Sequence, residues 1–582
     1  MKYRTLLPIL FPVLAAAAQP DPVLDAMKAE LKRSMTLTLN QLEKPYYVSY
    51  TVDDEHTWSA SATLGGVVSS GTGNYRIPGV RIRVGDYKFD NTDWAGAGGG
   101  GARYDLGSFP LEDDPLVIRQ YLWLVTDSIF KGSLRSIAGK QSALRNVTVT
   151  DQLPDFDKAQ PFVSNHDYIP VKIDQDGWTD RTRRVSAVFN DFPRLRTSSV
   201  TFTAVDALHR FITNEGTQVR EQQTAGMVEV RASAQAPDGM IVRDLDTFYT
   251  RDLTHLFPEA ELMRSARNVA EQTQKLADAP LGEAYTGPVL FEGVASAQLL
   301  AELLGRNLHI TRKPVAVPGA PGQTSPTDLE GRRGVRIMPE FFDVTDDPTL
   351  PLFGMEEADD EGVPDRKLQL VEKGVLKDFL RTRQPVRGYT DSNGHARVNG
   401  SYGAEGAVPT NLVIRASETS PIAELKQKLI DLIQQRGLPY GMIVRKLDFP
   451  SSASADEARR IIAAAGGNGS HPVAMPLYAY RLYVDGHEEL VRGQRFRGIN
   501  ARSLKDILAA GNDSVTFNYL ENGAPFALLG FGGSSAQVSI VAPSVLIDDL
   551  EMVKVDDELP KLPIVASPLV TRNTEKTPAP AQ

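Results

Sequence analysis

The segment Gly287 to Arg306 reads GPVLFEGVASAQLLAELLGR and changes character in its middle. Val289-Leu290-Phe291 is a short unbroken apolar run, the pattern of a buried strand. Glu292-Gly293 interrupts it. From Val294 onward apolar residues recur at helical spacing, which predicts an amphipathic helix reaching to about Asn307.

Upstream of this segment, Ala279-Pro280 and the glycines after it mark a domain boundary. The residues before that boundary form long elements. Asp21-Pro22 opens a helix in which Leu24, Met27, Leu31, Met35, Leu39 and Leu42 recur until Pro45 stops it. Tyr46, Val48, Tyr50 and Val52 share one face of a strand, and so do Val80, Ile82 and Val84, within an antiparallel meander that runs to about Thr92. Gly96 to Gly101 lacks the Gly-Lys-Ser/Thr ending of a phosphate loop and reads as a plain loop. Helices are expected over Asp114 to Asn146, broken near Gly132, over Thr179 to Phe192, and over Pro258 to Ala277. Between them, Ser198 to Tyr249 has period two, with turn signals at Asn214-Glu215-Gly216 and Pro237-Asp238-Gly239.

Downstream, Gly319 to Gly334 is a Pro/Gly-rich loop, and strands with glycine turns follow. Three helices interrupt them. One has Ser420 as cap, Pro421 in its first turn and Gly437 after its end. The others are Asp456 to Ala465 and Arg502 to Ala510. The tail from Leu559 is Pro-rich and expected to be disordered.

The chain has 582 residues, more than one core needs, so two domains are expected. Its net charge of −10, with the signs mixed, argues against a nucleic-acid partner, which needs a basic face. Lys2 and Arg4, the apolar run Leu6 to Leu14 and Ala16-Ala17-Ala18 together read as an export signal over residues 1–18, giving a periplasmic or secreted protein that starts at Gln19. No segment is long enough to span a membrane as a helix. There is no cysteine, which excludes disulfides and any thiolate metal ligand.

Several segments resemble the TldD/PmbA metallopeptidase family. Leu299-Leu300-Ala301-Glu302-Leu303-Leu304-Gly305-Arg306 resembles its site helix, which in the active subunit reads Leu-Leu-His-Glu-x-x-Gly-His. Asp359-Asp360-Glu361-Gly362-Val363-Pro364 followed by Val371-Glu372-Lys373-Gly374-Val375-Leu376 resembles a hairpin of the family. So do Arg481 to Gly486 with His487 to Gly493, and Ser544 to Leu550 resembles its last strand. The resemblance implies an α+β fold of two domains. An N-terminal domain with an antiparallel sheet and long helices would cover 19–280. A mostly antiparallel C-terminal domain would cover 281–558, ahead of the tail 559–582.

It also implies a zinc held by two histidines and a cysteine, with the glutamate taking a proton from metal-bound water. Ala301 and Arg306 occupy the histidine positions here. Alanine has no ligating atom and a guanidinium repels a cation. No metal site is therefore inherited and no cofactor is expected. Glu302 remains as the remnant of the general base. Read without the family, it is a solvated helix glutamate paired with Arg306 four residues on.

The chain has eight histidines and none has a histidine partner three or four residues away. His487-Glu488-Glu489 follows a turn signal and reads as surface. His309 lies two helical turns beyond Glu302 if the helix lasts that far. Glu292 reads as a carboxylate favoured by the helix dipole, and Asp359-Asp360-Glu361 as a solvated turn.

The function implied is that of a zinc-ligand-lacking subunit or peptide-binding homologue, acting in proteolysis with an intact partner as a homo- or heterodimer. Phe526, Leu528, Gly530 and Gly532 are candidates for backbone pairing with an extended peptide. Two other readings stay open. One is an active hydrolase using Glu302 with other ligands. The other is an envelope interaction protein.

Overall fold

The computed structural model describes residues 20–94, 96, 101–103, 109–145, 153–315, 327–399, 403–452, 473–522, 535–555, 565 and 567–570. The expected helix at Asp456 to Ala465 and most of the tail from Leu559 lie outside them, as does the leader.

The first sheet draws its strands from the first half of the chain. They are β1 (Pro45–Thr63), β2 (Gly66–Val84), β3 (Gly101–Arg103), β4 (Val163–Asn165), β5 (Leu195–Thr213), β6 (Gln218–Gln235) and β7 (Ile241–Thr250). Their order is β3-β2-β1-β5-β6, with β4 and β7 both on β6. Every pair is antiparallel except β4 with β6. Asn214-Glu215-Gly216 and Pro237-Asp238-Gly239 make the turns expected of them. Helices α1 (Pro22–Ser34), α2 (Pro115–Leu144), α3 (Gln175–Ala187) and α4 (Glu259–Asp278) cover one face of the sheet. Val48, Tyr50, Val52, Val80 and Ile82 pack under α1 and α2. Trp58, Phe202, Val228 and Val230 pack under α3 and α4. The period-two alternation of these strands follows from helices covering one face, while the other face carries polar groups and only part of it is buried.

The second half starts with β8 (Tyr285–Phe291) and α5 (Val294–Leu303). Its other elements are β9 (Phe342–Asp346), β10 (Leu368–Glu372), β11 (Val375–Leu376), β12 (Ala396–Asn399), β13 (Glu405–Ala407), β14 (Asn411–Ala416), α6 (Ile422–Arg436), β15 (Gly441–Leu447), β16 (Pro476–Leu482), β17 (Glu488–Val491), β18 (Gln494–Arg497), β19 (Ile507–Ala510), β20 (Val515–Glu521), β21 (Ala536–Ala542) and β22 (Val545–Lys554). Two sheets dominate, ordered β11-β10-β9-β14-β21-β20 and β17-β16-β15-β8-β22-β18, with β19 also on β22. Pairing is mostly antiparallel; β14 with β21 and β15 with β8 are the parallel exceptions. Helix α5 lies between these sheets, against β15, β20 and β21. Helix α6 packs on the far side of β8. The unbroken run Val289-Leu290-Phe291 follows from this. Val289 and Phe291 join the core around α5, while Leu290 faces Leu425, Leu429 and Ile433 of α6.

Several expectations are corrected. The first helix ends at Ser34, not at Pro45, and Leu39 and Leu42 are exposed. Thr36 closes the helix by turning its amide and hydroxyl onto the Arg33 carbonyl. Helix α2 is continuous through Gly132. Gly101, assigned to a loop, opens β3. Arg502 to Ala510 is not a helix: a 3-10 turn, Ala501–Asp506, runs into β19, because pairing with β22 outweighs local preference. Ser420 does not cap α6. Its amide bonds the Ala510 carbonyl, and Pro421 stands at the cap position.

Ion pairs with at least one buried partner join the first half of the chain to the second. Lys446 meets Asp244 at 2.8 Å, Arg243 meets Asp448 at 2.8 Å and Arg312 meets Asp93 at 2.5 Å. Arg383 meets Glu215 at 2.8 Å while its guanidinium stacks on Phe156 and Tyr47. These contacts fix the second half against the first sheet.

Candidate functional site

Helix α5 begins where Gly293, at φ 50°, turns the chain out of β8. That backbone conformation favours glycine. Every residue from Ala295 to Leu303 is buried, so any polar side chain among them must find a partner. Two lie four apart, Gln298 and Glu302, and Arg306 continues the series in the 3-10 turn Gly305–Asn307.

Gln298 donates from Nε2 to the Phe449 carbonyl at 2.6 Å and accepts from the Leu447 amide at 2.8 Å. Glu302 accepts from the Ala474 amide through Oε2 at 2.9 Å. Arg306 reaches Glu521 of β20 at 3.7 Å. The polar face of the helix thus clasps the chain before residue 450 and after residue 473, and leans on β20.

The reading of Glu302 as a solvated glutamate is overturned, since it is 6% exposed. Burial pushes its carboxyl up to about 8, against the pull of Arg306 and the Ala474 amide; Asp448 and Glu521 push the same way as burial. The nearby Tyr519 phenol is driven well above its usual range, chiefly by burial and then by Glu521. Ala301, at one histidine position, is fully buried among Leu300, Leu304 and other apolar groups.

These residues do not fit a zinc ion. Position 301 offers a methyl group, position 306 a guanidinium, and Glu302 is turned to a backbone amide. Among the described residues no three His, Asp or Glu side chains are grouped to hold a metal.

Other expectations fall out as follows. His309 is off the helix, in a bridge with Leu380, so it shares no face with Glu302. His487 sits after the Asp485-Gly486 turn, as read. Glu292 is less a dipole carboxylate than part of a charge cluster, held by Arg445 at 2.6 Å and Lys426 at 3.2 Å. The solvated turn at Asp359-Asp360-Glu361 is wrong for two of its members. Asp359 accepts from the amides of Glu361, Val363 and Ala396, and Glu361 from that of Arg383, so both are buried and only Asp360 is exposed. Phe526, Leu528, Gly530 and Gly532 lie outside the described residues.

Gln298 and Glu521 were not singled out from the sequence. The signal for Gln298 was present: the large polar residues at 298, 302 and 306 repeat every four positions in a helix whose one other polar residue is Ser296. Glu521 had none, because its partner is 215 positions away in the chain.

Comparison with known proteins adds to this geometry. Residues 284–444 match the PmbA/TldA metallopeptidase C-terminal domain. A metalloprotease of Archaeoglobus fulgidus is 43% identical over 74 residues, 13% of this chain and 17% of the relative. A metalloprotease of Methanocaldococcus jannaschii is 32% identical over 114 residues, 18% of this chain and 24% of the relative. The chain therefore spans less than a quarter of either curated relative in these matches. In fold, the structure of TldE from Thermococcus kodakarensis superposes over 91% of this chain and all of its own, with a TM-score of 0.56 at 14% identity.

Proposed function

We propose, from the premise that this chain belongs to the TldD/PmbA metallopeptidase family through its C-terminal domain, that it is a non-catalytic member which binds extended peptide and works beside an intact, zinc-bearing subunit. The observation that carries the reading is the state of the polar face of α5. Glu302 is closed over the Ala474 amide and Arg306 faces Glu521, so the face that would activate water instead ties down the chain. A general base must reach the proton it takes. The two-domain division near residue 280, export with loss of residues 1–18, and peptide capture at Phe526 to Gly532 belong to the same proposal. No helix among the described residues is long and apolar enough to cross a membrane.

The test is elemental analysis with a peptidase assay on the purified chain, with and without added zinc. The expected result is no stoichiometric zinc and no peptide cleavage. One tightly bound zinc per chain, with cleavage that a chelator stops and Glu302→Gln abolishes, would overturn the reading. It would favour the second one, a hydrolase built on Glu302. A carboxyl held up to about 8 keeps a proton near neutral pH that a general acid could give to a leaving group, and that is the observation in favour of the second reading.

A further inference from the structure

Residues 309–315 continue the chain from the 3-10 turn that carries Arg306 and cross onto the first half. Their near end is tied where His309 bridges to Leu380. Their far end rests on a seat built around Asp93. Arg312 meets the Asp93 carboxylate at 2.5 Å and the Asp155 carboxylate at 3.3 Å, and donates to the Pro154 carbonyl at 2.7 Å. The Val315 amide donates to the Asp93 carbonyl at 3.0 Å, and Val315 pairs with Trp94. Asp93 has φ 60°, a conformation that a residue other than glycine keeps only where its surroundings hold it.

The seat is a closed group of charges. Asp90, Asp93 and Asp155 are each at most 2% exposed. Lys140 of α2 meets Asp155 at 2.5 Å and donates to the Thr92 carbonyl at 2.7 Å. Arg83 of β2 meets Asp90 at 2.8 Å, and the Tyr46 hydroxyl donates to Asp90 at 2.7 Å. Gln384 donates to Asp93 at 3.1 Å. Arg312 is the cation that residues 309–315 bring to this group, and Asp93 shares it with Asp155.

We propose that residues 309–315 form a strap whose hold on the first half is loosened by loss of a proton from Asp93.

The sign follows from what the strap covers. Burial has the largest influence on the Asp93 carboxyl and pushes it up to about 7; Arg312 and Lys140 pull it down, while Asp155 and Asp90 push it up. Lifting the strap brings the group to water, where it returns toward its ordinary 3.8. Lifting also removes Arg312, which works the other way, but burial outweighs that pull. Between about pH 4 and pH 7 the closed strap therefore keeps a proton that the lifted strap gives up. The ratio of lifted to closed rises about tenfold per pH unit across this window and levels off above it. The proposal uses neither Glu302 nor bound peptide, and stands whether or not the chain binds one.

The full chain has no cysteine, so a single reporter thiol tests the strap. Ile310, 8% exposed, is changed to Cys, and in a second chain the exposed Val484 is changed to Cys. The ratio of their labelling rates cancels the titration of the thiol itself. From pH 5 to pH 7 it should rise at least roughly tenfold, then level off by about pH 8. Asp93→Asn should flatten the curve, since asparagine tolerates the left-handed backbone and carries no charge. Glu302→Gln and His309→Gln should leave it rising. Hydrogen exchange of the Val315 amide, divided by its free-peptide rate, should trace the same curve in the unsubstituted chain, so the test does not depend on Ile310→Cys folding well. A flat ratio overturns the proposal, as does one that falls with pH, one that still rises in Asp93→Asn, or one that is flattened by His309→Gln. So does an equal rise at Val228→Cys in the core under α3 and α4, which would report unfolding of the whole chain.

Discussion

Glu302 shows how one residue changes meaning between sequence and structure. Its four-residue spacing to Arg306 is the ordinary mark of a surface ion pair, and nothing local reveals that Ala474, 172 positions on, closes over it. Ala301 and Arg306, in contrast, were legible from chemistry alone, because neither can ligate a metal in any environment. The burial of Glu302 has a measurable consequence. An unfolded glutamate ionises near 4.5, the folded one near 8. Between those values the unfolded chain gives up a proton that the folded chain keeps, so stability falls as pH rises through this window and levels off above it. Glu302→Gln should remove that slope. Thermal unfolding of the two proteins at pH 5 and pH 9 should show the variant gaining, on the order of a few kcal/mol, only at the higher pH. Glu302→Ala should instead cost about 1–3 kcal/mol at pH 5, because the Ala474 amide loses its acceptor.

At the level of elements, hairpins were legible because their turn chemistry is local. Asn214-Glu215-Gly216 sits where β5 meets β6, and Asp485-Gly486 where β16 meets β17. Helix α6 shows the same from its C-terminal end, since Gly437 has φ 63° and ends the helix in the left-handed region. A methyl group added there would meet nothing within 4 Å, so Gly437→Ala tests backbone strain alone. It should cost about 1 kcal/mol in urea unfolding, and a neutral result would show that the helix end relaxes freely. Where tertiary pairing decided the outcome, sequence reading failed. Ile507–Ala510 has helical spacing but lies beside β22, and only the presence of that strand makes it β structure.

The whole molecule depends on charges that are individually costly to bury. Arg383 is almost wholly enclosed and touches Glu215, the Asp157 carbonyl and two aromatic rings, so one side chain links three remote segments. None of these contacts could be inferred from sequence, since each joins residues more than 160 positions apart or stacks a cation on a ring chosen by the fold. Arg383→Met leaves Glu215 buried without its cation and should cost about 3–5 kcal/mol. Hydrogen exchange should quicken at residues 153–157 and 214–217. Arg194→Met removes an exposed pair with Asp278 at the surface and should change stability by no more than about 0.5 kcal/mol. If the two substitutions have equal effects, the junction does not rest on Arg383.

The position of β8 also sets a timetable. It lies between β15 and β22, so the strand that leads into α5 has no complete neighbourhood until the last strand of the chain has been made. At roughly 5–20 residues per second, the interval from Phe291 to its partner Val545 lasts tens of seconds on the ribosome. Until β20, β21 and β22 are made, the apolar surface of α5 has only part of its cover, that from β15, and the rest is open to chaperones. Under the proposed export, in which a chain threads a narrow channel before it folds, this late closure is an asset. A core that waits for its final strand stays loose enough to be moved until synthesis is nearly complete.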